Sequence, residues 1–453
     1  MFLVFGASQF MAQAPAGYLY DYTEQKILWL SVAGVSTTIL TVFTAICATD
    51  QNFLLMVIVK FIQGAITSFI PPGLNSITQG IVGTVGMTGQ VAVNEMMNHL
   101  GASIIVLSGS LIAFALFPDI GILFIVSPIA CIGFLYFLNK IDPADIDHDA
   151  ARGLTAKADD APKLDAVASE PAANEGYVPP ADGAFFNKDA KSEPSFIFGF
   201  GGEGSTAGDD ESARSNTPLQ VLRDPILLLF IVISFLFHAA NGTILPLVMQ
   251  TLAIGNGRSG ILMSGLCIVV AQLFMVFSAK ICGTYSHRYG RKWLFVAGLS
   301  IVPIRCAILI GLLVWQGANE ATLMQQALIL STQILDGIGA GTFGTMYILV
   351  TSDISKGTGR FGMSLGLTTA AMNIGGTVSG YMGQALAEEK GYLHTFEILM
   401  VMSIIPMALY LVFMPETLPE SARTNDSKIA SITEEEAEAV PAKGPTGNYI
   451  ELV

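Results

Sequence analysis

Gly17-Tyr18-Leu19-Tyr20-Asp21-Tyr22-Thr23-Glu24-Gln25-Lys26 follows one apolar stretch, and Gly283-Thr284-Tyr285-Ser286-His287-Arg288-Tyr289-Gly290-Arg291-Lys292 follows another, 266 positions later. Each copy opens on a Gly at the end of an expected helix and closes on a Lys nine positions on. A second pair recurs in the same order, Lys60-Phe61-Ile62-Gln63-Gly64 and Gln333-Ile334-Leu335-Asp336-Gly337, offset by 273. Either match alone is weak; two at nearly one offset point to an internal duplication of the kind seen in helical membrane proteins.

The surrounding composition fits that setting. Only 13% of the 453 residues are charged, against 52% hydrophobic, where a soluble domain carries about 25% charged residues. That excludes an ordinary soluble enzyme, and the scarcity of Lys and Arg argues against a nucleic-acid binder, which must neutralise phosphates. A helix needs about 20 apolar residues to cross a bilayer. Eleven runs qualify: 1–20, 27–47, 52–74, 98–117, 120–138, 226–250, 260–282, 293–315, 322–350, 362–386 and 395–414. A closed barrel needs short alternating strands instead, so the expected fold is all-α and polytopic. The first run has no basic n-region and does not read as a cleavable signal.

The net charge of −14 lies entirely outside those runs. Residues 139–224 hold 17 acidic and 8 basic side chains and residues 415–453 hold 8 and 3, so 1–138 and 225–414 are neutral. The expected organisation is a bundle over 1–138, a disordered acidic linker over 139–224, a second bundle over 225–414 and a disordered acidic tail over 415–453. Lys26, Lys140, Arg223, Lys280, Arg288, Arg291, Lys292, Lys356, Arg360 and Arg423 gather on one side, with only Arg258 and Lys390 on the other. The first side is expected to be cytoplasmic, which places the C-terminus there. The five Cys lie in or beside apolar runs and read as small buried hydrophobes.

The two loops resemble the G-x-L-x-D-R-x-G-R-[RK] signature of the major facilitator superfamily, and Lys60 to Gly64 is similar to its R-x-x-Q-G. The first loop keeps Gly17, Leu19, Asp21 and Lys26 but has Tyr22 for Arg and Glu24 for Gly; the second keeps Gly283, Arg288, Gly290, Arg291 and Lys292 but has His287 for Asp. Lys60 stands in place of an Arg, which preserves charge but not the planar fork. The resemblance covers 1–138 and 225–414. It implies a pseudo-symmetric two-bundle fold in which these segments are family helices 2–6 and 7–12, the first being absent. It also implies secondary transport of a small solute by alternating access, with both loops as cytoplasmic latches. Asp21, Arg288 and Arg291 would make the charge and helix-end contacts of the latch.

Polar groups inside apolar runs are functional candidates because hydrocarbon penalises them. His238 falls near the middle of 226–250, Asn241 shares its face, and Pro246 weakens the helix just beyond. An imidazole there suits solute contact or proton coupling. Arg305 and Asp336 lie mid-span on neighbouring antiparallel runs at similar depth, so an intramembrane ion pair is expected. Lys60 is a further candidate for contact with solute. Glu95, Asn98 and His99, at i, i+3 and i+4, are expected to cap the helix at 98–117 or to join a polar network rather than bind metal. No nucleotide-binding loop or nucleophile triad occurs; no enzyme activity, cofactor or metal is expected, and the protein should be a monomer. The alternative is a receptor or scaffold that recruits cytosolic partners through linker and tail.

Overall fold

The computed structural model describes residues 2–47, 52–117, 121–154, 215–253, 257–317 and 321–418. Among these, every regular element is a helix. The long ones are α1 (Phe2–Tyr22), α2 (Lys26–Cys47), α3 (Phe53–Thr67), α4 (Ile70–Leu116), α5 (Val126–Leu138), then α8 (Pro225–Asn241), α9 (Ile244–Ala253), α10 (Gly257–Tyr289), α11 (Arg291–Gln316), α12 (Leu323–Ser355) and α13 (Phe361–Phe413). Two short helices, α6 (His148–Ala151) and α7 (Pro218–Val221), lie between the sets. Seven helical stretches are long and apolar enough to cross a membrane. The span over 1–20 is helical but falls outside those seven; Ser8, Gln13, Tyr20 and Asp21 of α1 are buried.

The longest apolar stretch, Phe53–Leu116, has 64 residues, or about 96 Å of helix, three times the thickness of a hydrocarbon core. It therefore has to turn back. The turn is at Gly83, whose φ of 64° breaks α4 into 70–82 and 84–116. Gly391, with φ 79°, divides α13 in the same way. Proline makes the gentler breaks. Pro71 and Pro72 stand in the first turn of α4, just after the interruption that separates it from α3. Pro246 leaves the Gly242 carbonyl without its i+4 donor, and α8 stops at Asn241. The Thr243 N–H, freed there, donates to Ser379 Oγ at 3.0 Å.

Within the first set, α1 packs on α3 and α2 on α3 and α5; within the second, α8 and α11 pack on α13, and α10 and α11 on α12. The sets meet through α1 against α13 and α4 against α10. These are equivalent contacts, since α1 and α10 are the helices that end in the two loop copies. Trp29, Val32, Ile39 and Phe43 form an exposed stripe on α2, a surface that suits lipid rather than water. Cys267, Cys282 and Cys306 are buried without disulfides.

The segment 139–224 is not without structure at its ends, which corrects that expectation; its middle, 155–214, and the tail beyond 418 lie outside the described residues. The acidic residues there cap local turns: Asp147 Oδ1 accepts from the Asp149 and Ala150 N–H groups at 2.8 and 3.0 Å, and Asp224 Oδ1 from Ile226 at 2.8 Å. The turn over 147–153 also ties the two sets together. Asp147 N–H donates to the Gly80 carbonyl at 3.0 Å, Gly357 N–H to Gly153 at 2.7 Å, and Phe361 N–H to Arg152 at 3.0 Å.

Candidate functional site

The end of the bundle that carries the loop copies is closed by side chains acting across long sequence separations. Helices leave their first N–H groups without internal partners, and neither α11 nor α13 has a local capping side chain. Asp21 serves α13: the Gly362 N–H donates to Oδ1 at 2.7 Å and the Met363 N–H to Oδ2 at 2.9 Å. Glu416 serves α11, accepting from the N–H groups of Arg291 and Lys292 at 2.8 and 3.1 Å. A carboxylate at a helix N-terminus is stabilised by both hydrogen bonding and the helix dipole.

Arg291 is buried and reaches three ways. Its Nε donates to Asp353 Oδ2 at 3.0 Å, Nη1 to Ser286 Oγ at 2.6 Å, and Nη2 across to Thr88 Oγ1 of α4 at 2.8 Å. Arg288, expected to share this work, is exposed and lies over the Tyr289 ring. Lys26, the first residue of α2, is buried and turns back toward α1, its Nζ donating to the carbonyls of Tyr20 and Thr23; it closes the C-terminal end of α1 and does not cross to the other set. Arg360, absent from the expected site, is buried, donates through Nε to the Asn216 carbonyl at 2.7 Å and stacks over Tyr18 and Tyr22. Asp353 and Glu416 were also not foreseen, though each is an acid at the end of an apolar run on the basic side.

Glycines make both crossings possible. A Cβ on Gly17 would stand 2.0 Å from the Gly362 carbonyl oxygen, and one on Gly283 2.4 Å from Ala92 Cβ. The first obstacle is backbone, which cannot yield like a side chain. Gly17→Ala is therefore expected to force α1 and α13 apart, read as faster modification of a single cysteine introduced by Met363→Cys with a water-soluble thiol reagent than in the Gly17 parent.

Arg305 and Asp336 form the expected ion pair through Nη1 and Oδ1, both buried, and Arg305 Nη2 donates to Gln333 Oε1 at 2.8 Å. Neither borders a described cavity. At the matching positions of the first set, offset by 273, Lys60 Nζ donates to Gln63 Oε1 at 2.8 Å and Gln63 Nε2 to Thr41 Oγ1 at 2.9 Å. Both halves thus carry a polar knot at the same place, ionic in one and amide-based in the other. Lys60 is engaged there and lines neither of the two cavities described below.

His238 does border a cavity, of about 890 Å³, lined by α1, the α8–α9 break and the first part of α13. Gln9, Thr243, Asn373, Thr377, Gln384 and Glu388 supply its polar wall, and Leu3, Phe5, Pro246 and Met372 its apolar one. His238 Nδ1 donates to the Ser234 carbonyl at 3.0 Å, so the neutral ring keeps its lone pair on Nε2. Phe237 and Phe343 pack edge-on against it. Asn241 is not in this wall; its Oδ1 is buried without a hydrogen-bond partner.

Glu95, Asn98 and His99 correct a further expectation. The helix begins after Gly83, not near 98, so the three lie well inside α4. Glu95 and Asn98 border a second cavity, of about 780 Å³, in the half nearer the closed end.

The sequence pattern of the Major Facilitator Superfamily matches residues 1–331, and that of Sugar (and other) transporter matches residues 225–446. Two proteins described as uncharacterized MFS-type transporters, from Mycobacterium tuberculosis strains CDC 1551 / Oshkosh and ATCC 25618 / H37Rv, are each 30% identical over 419 residues, covering 92% of this chain and 84% of theirs. Among solved structures, the proton:xylose symporter XylE bound to 6-bromo-6-deoxy-D-glucose superposes with a TM-score of 0.60 at 13% identity, over 92% of this chain and 86% of that one. A double-tryptophan variant of XylE gives 0.64 at 12%, over 94% and 87%.

Proposed function

Because the chain belongs to the major facilitator superfamily and is a multi-pass membrane protein of the secondary-transporter class, we propose that it moves a small, hydrogen-bonding solute by alternating access. One observation carries the reading. The end bearing the loop copies is sealed by Asp21 on α13 and Arg291 on Thr88, while a cavity of about 890 Å³ lies among α1, α8, α9 and α13. Contacts at helix ends can break as units when two packed bodies rock, which is how such a seal would alternate. The sealed end is the basic one, and the positive-inside rule assigns it to the cytoplasm together with the C-terminus.

Amide and hydroxyl groups of Gln9, Asn373, Thr377 and Gln384, with the imidazole of His238 and the carboxylate of Glu388 in the same wall, favour a hydrogen-bonding polar solute over an anionic one. Arg305 and Asp336 act as a brace between α11 and α12, since each satisfies the other away from either cavity. Reconstituted into proteoliposomes, the protein is expected to take up at least one member of a solute panel that begins with xylose and glucose, assayed with and without an imposed pH gradient. His238→Asn should lower that uptake at least about tenfold without changing the melting temperature. Absence of flux for every solute, with protein that remains folded and sealed vesicles, would overturn the reading.

A further inference from the structure

The residues at i and i+4 on α4 hold an arrangement that neither the latch nor the solute cavity uses. His99 Nδ1 donates to Gln272 Oε1 of α10 at 2.7 Å. That bond leaves Nε2 as the acceptor atom of a neutral ring. Nε2 is buried without a hydrogen-bond partner of its own and lies 3.4 Å from Glu95 Oε2. A carboxylate oxygen is also only an acceptor, so two lone pairs would face each other. A single added proton removes the conflict, carried either by the carboxyl, donating to Nε2, or by the imidazolium, paired with the carboxylate.

We propose that Glu95 and His99 together form a proton-binding site of this protein, holding one shared proton while α4 and α10 are in contact. The groups facing the pair from its neighbours are Gln272 on α10, which is uncharged, and Tyr347 on α12, the titratable group across the second cavity. Asn98 lies one turn along the same helix. Among the described residues each member of the pair is the other's ion-pair partner. With the proton bound, the pair is neutral; without it, the Glu95 carboxylate, half-buried beside Asn98, faces the lone pair of His99 Nε2. Loss of the proton, passed from Glu95 to water in the cavity of about 780 Å³ that it borders, is thus tied to admission of water there.

The position of the pair gives that exchange a mechanical consequence. His99 is anchored across the α4–α10 contact, the same contact that holds Gly283 against Ala92, and next to it Arg291 at the start of α11 reaches Thr88 of α4. Proton occupancy and the closeness of α4 and α10 therefore depend on each other. The site rests on the transporter reading for its purpose but not for its existence, so its test uses neither vesicles nor solute.

Infrared difference spectra of the purified full chain, titrated from about pH 5 to about pH 9 in light and heavy water, report carboxyl and imidazole bands separately. In the parent protein, one carboxyl and one imidazole signal are expected to titrate together. Glu95→Gln should remove the carboxyl signal and shift the imidazole one, and His99→Gln should shift the carboxyl one, each by about one pH unit or more, as coupled groups require. Gln272→Leu, which alters neither titrating group, should shift both. Gel filtration and melting temperature establish that each variant is folded. Independent titration, with each variant leaving the other residue's signal where it was, overturns the proposal.

Discussion

Asp336→Leu on its own should destabilise the protein by about 3–5 kcal/mol, because it leaves the Arg305 guanidinium buried with no counter-charge. Arg305 is 1% exposed and its Nε already lacks a partner, so only Gln333 would remain to hold it. The reverse change, Arg305→Leu, strands a carboxylate and should cost as much. Arg305→Leu together with Asp336→Leu replaces the pair by apolar side chains in an apolar setting and should recover most of the loss. Thermal unfolding in detergent, followed by intrinsic fluorescence, measures all three. A double variant as unstable as the singles would show that more than the mutual charge is at stake. Uptake restored in the double variant would establish the pair as a brace, and uptake lost despite restored stability would make it part of the transport machinery.

Asp21→Ala should move the closed-to-open balance of the basic end by about 2 kcal/mol, roughly thirtyfold, because two N–H groups of α13 lose a charged acceptor. The gross strength of the two bonds is larger, but in the open state water takes over both partners. Asp21→Asn keeps one acceptor oxygen and loses the charge, so it should fall between. Spin labels on the exposed Glu24 and Lys356 report the change as a longer distance distribution. An unchanged distribution in Asp21→Ala would remove this carboxylate from the latch.

Which features could be read from sequence follows from how far apart their determinants lie. The Arg305–Asp336 pair was within reach because α11 and α12 are antiparallel and share a short loop, so counting from that loop fixes relative depth. Asp21 could be assigned a helix-end role from its own loop, but the helix it caps begins about 340 residues later, and nothing local marks Gly362 and Met363 as its partners. Glu95 and His99 were placed at a helix start because 84–97 is rich in Gly, Thr, Gln and Asn and reads as polar. In the structure that stretch is helical, with Thr88 taken up by Arg291 and Gln90 and Asn94 hydrogen-bonded to each other. The acidic ends of 139–224 misled for a similar reason: their charge suggested a solvated coil, yet Asp147 and Asp224 spend it on capping. Arg288 is the opposite case: a signature residue kept in sequence, it is exposed and lies over the neighbouring Tyr289 ring.

The two distant caps also set an order of events during synthesis. At about 5–20 residues per second, α1 waits roughly 17–70 seconds after Asp21 emerges before the start of α13 exists, and the first turn of α11 waits roughly 6–25 seconds for Glu416. Throughout that interval a carboxylate stands without its helix and a helix without its carboxylate, both at the same end of the bundle. The nascent chain is therefore incomplete at this end until the last of the described helices has been made, and a ribosome that stalls before Glu416 leaves an inserted protein whose end is not yet sealed.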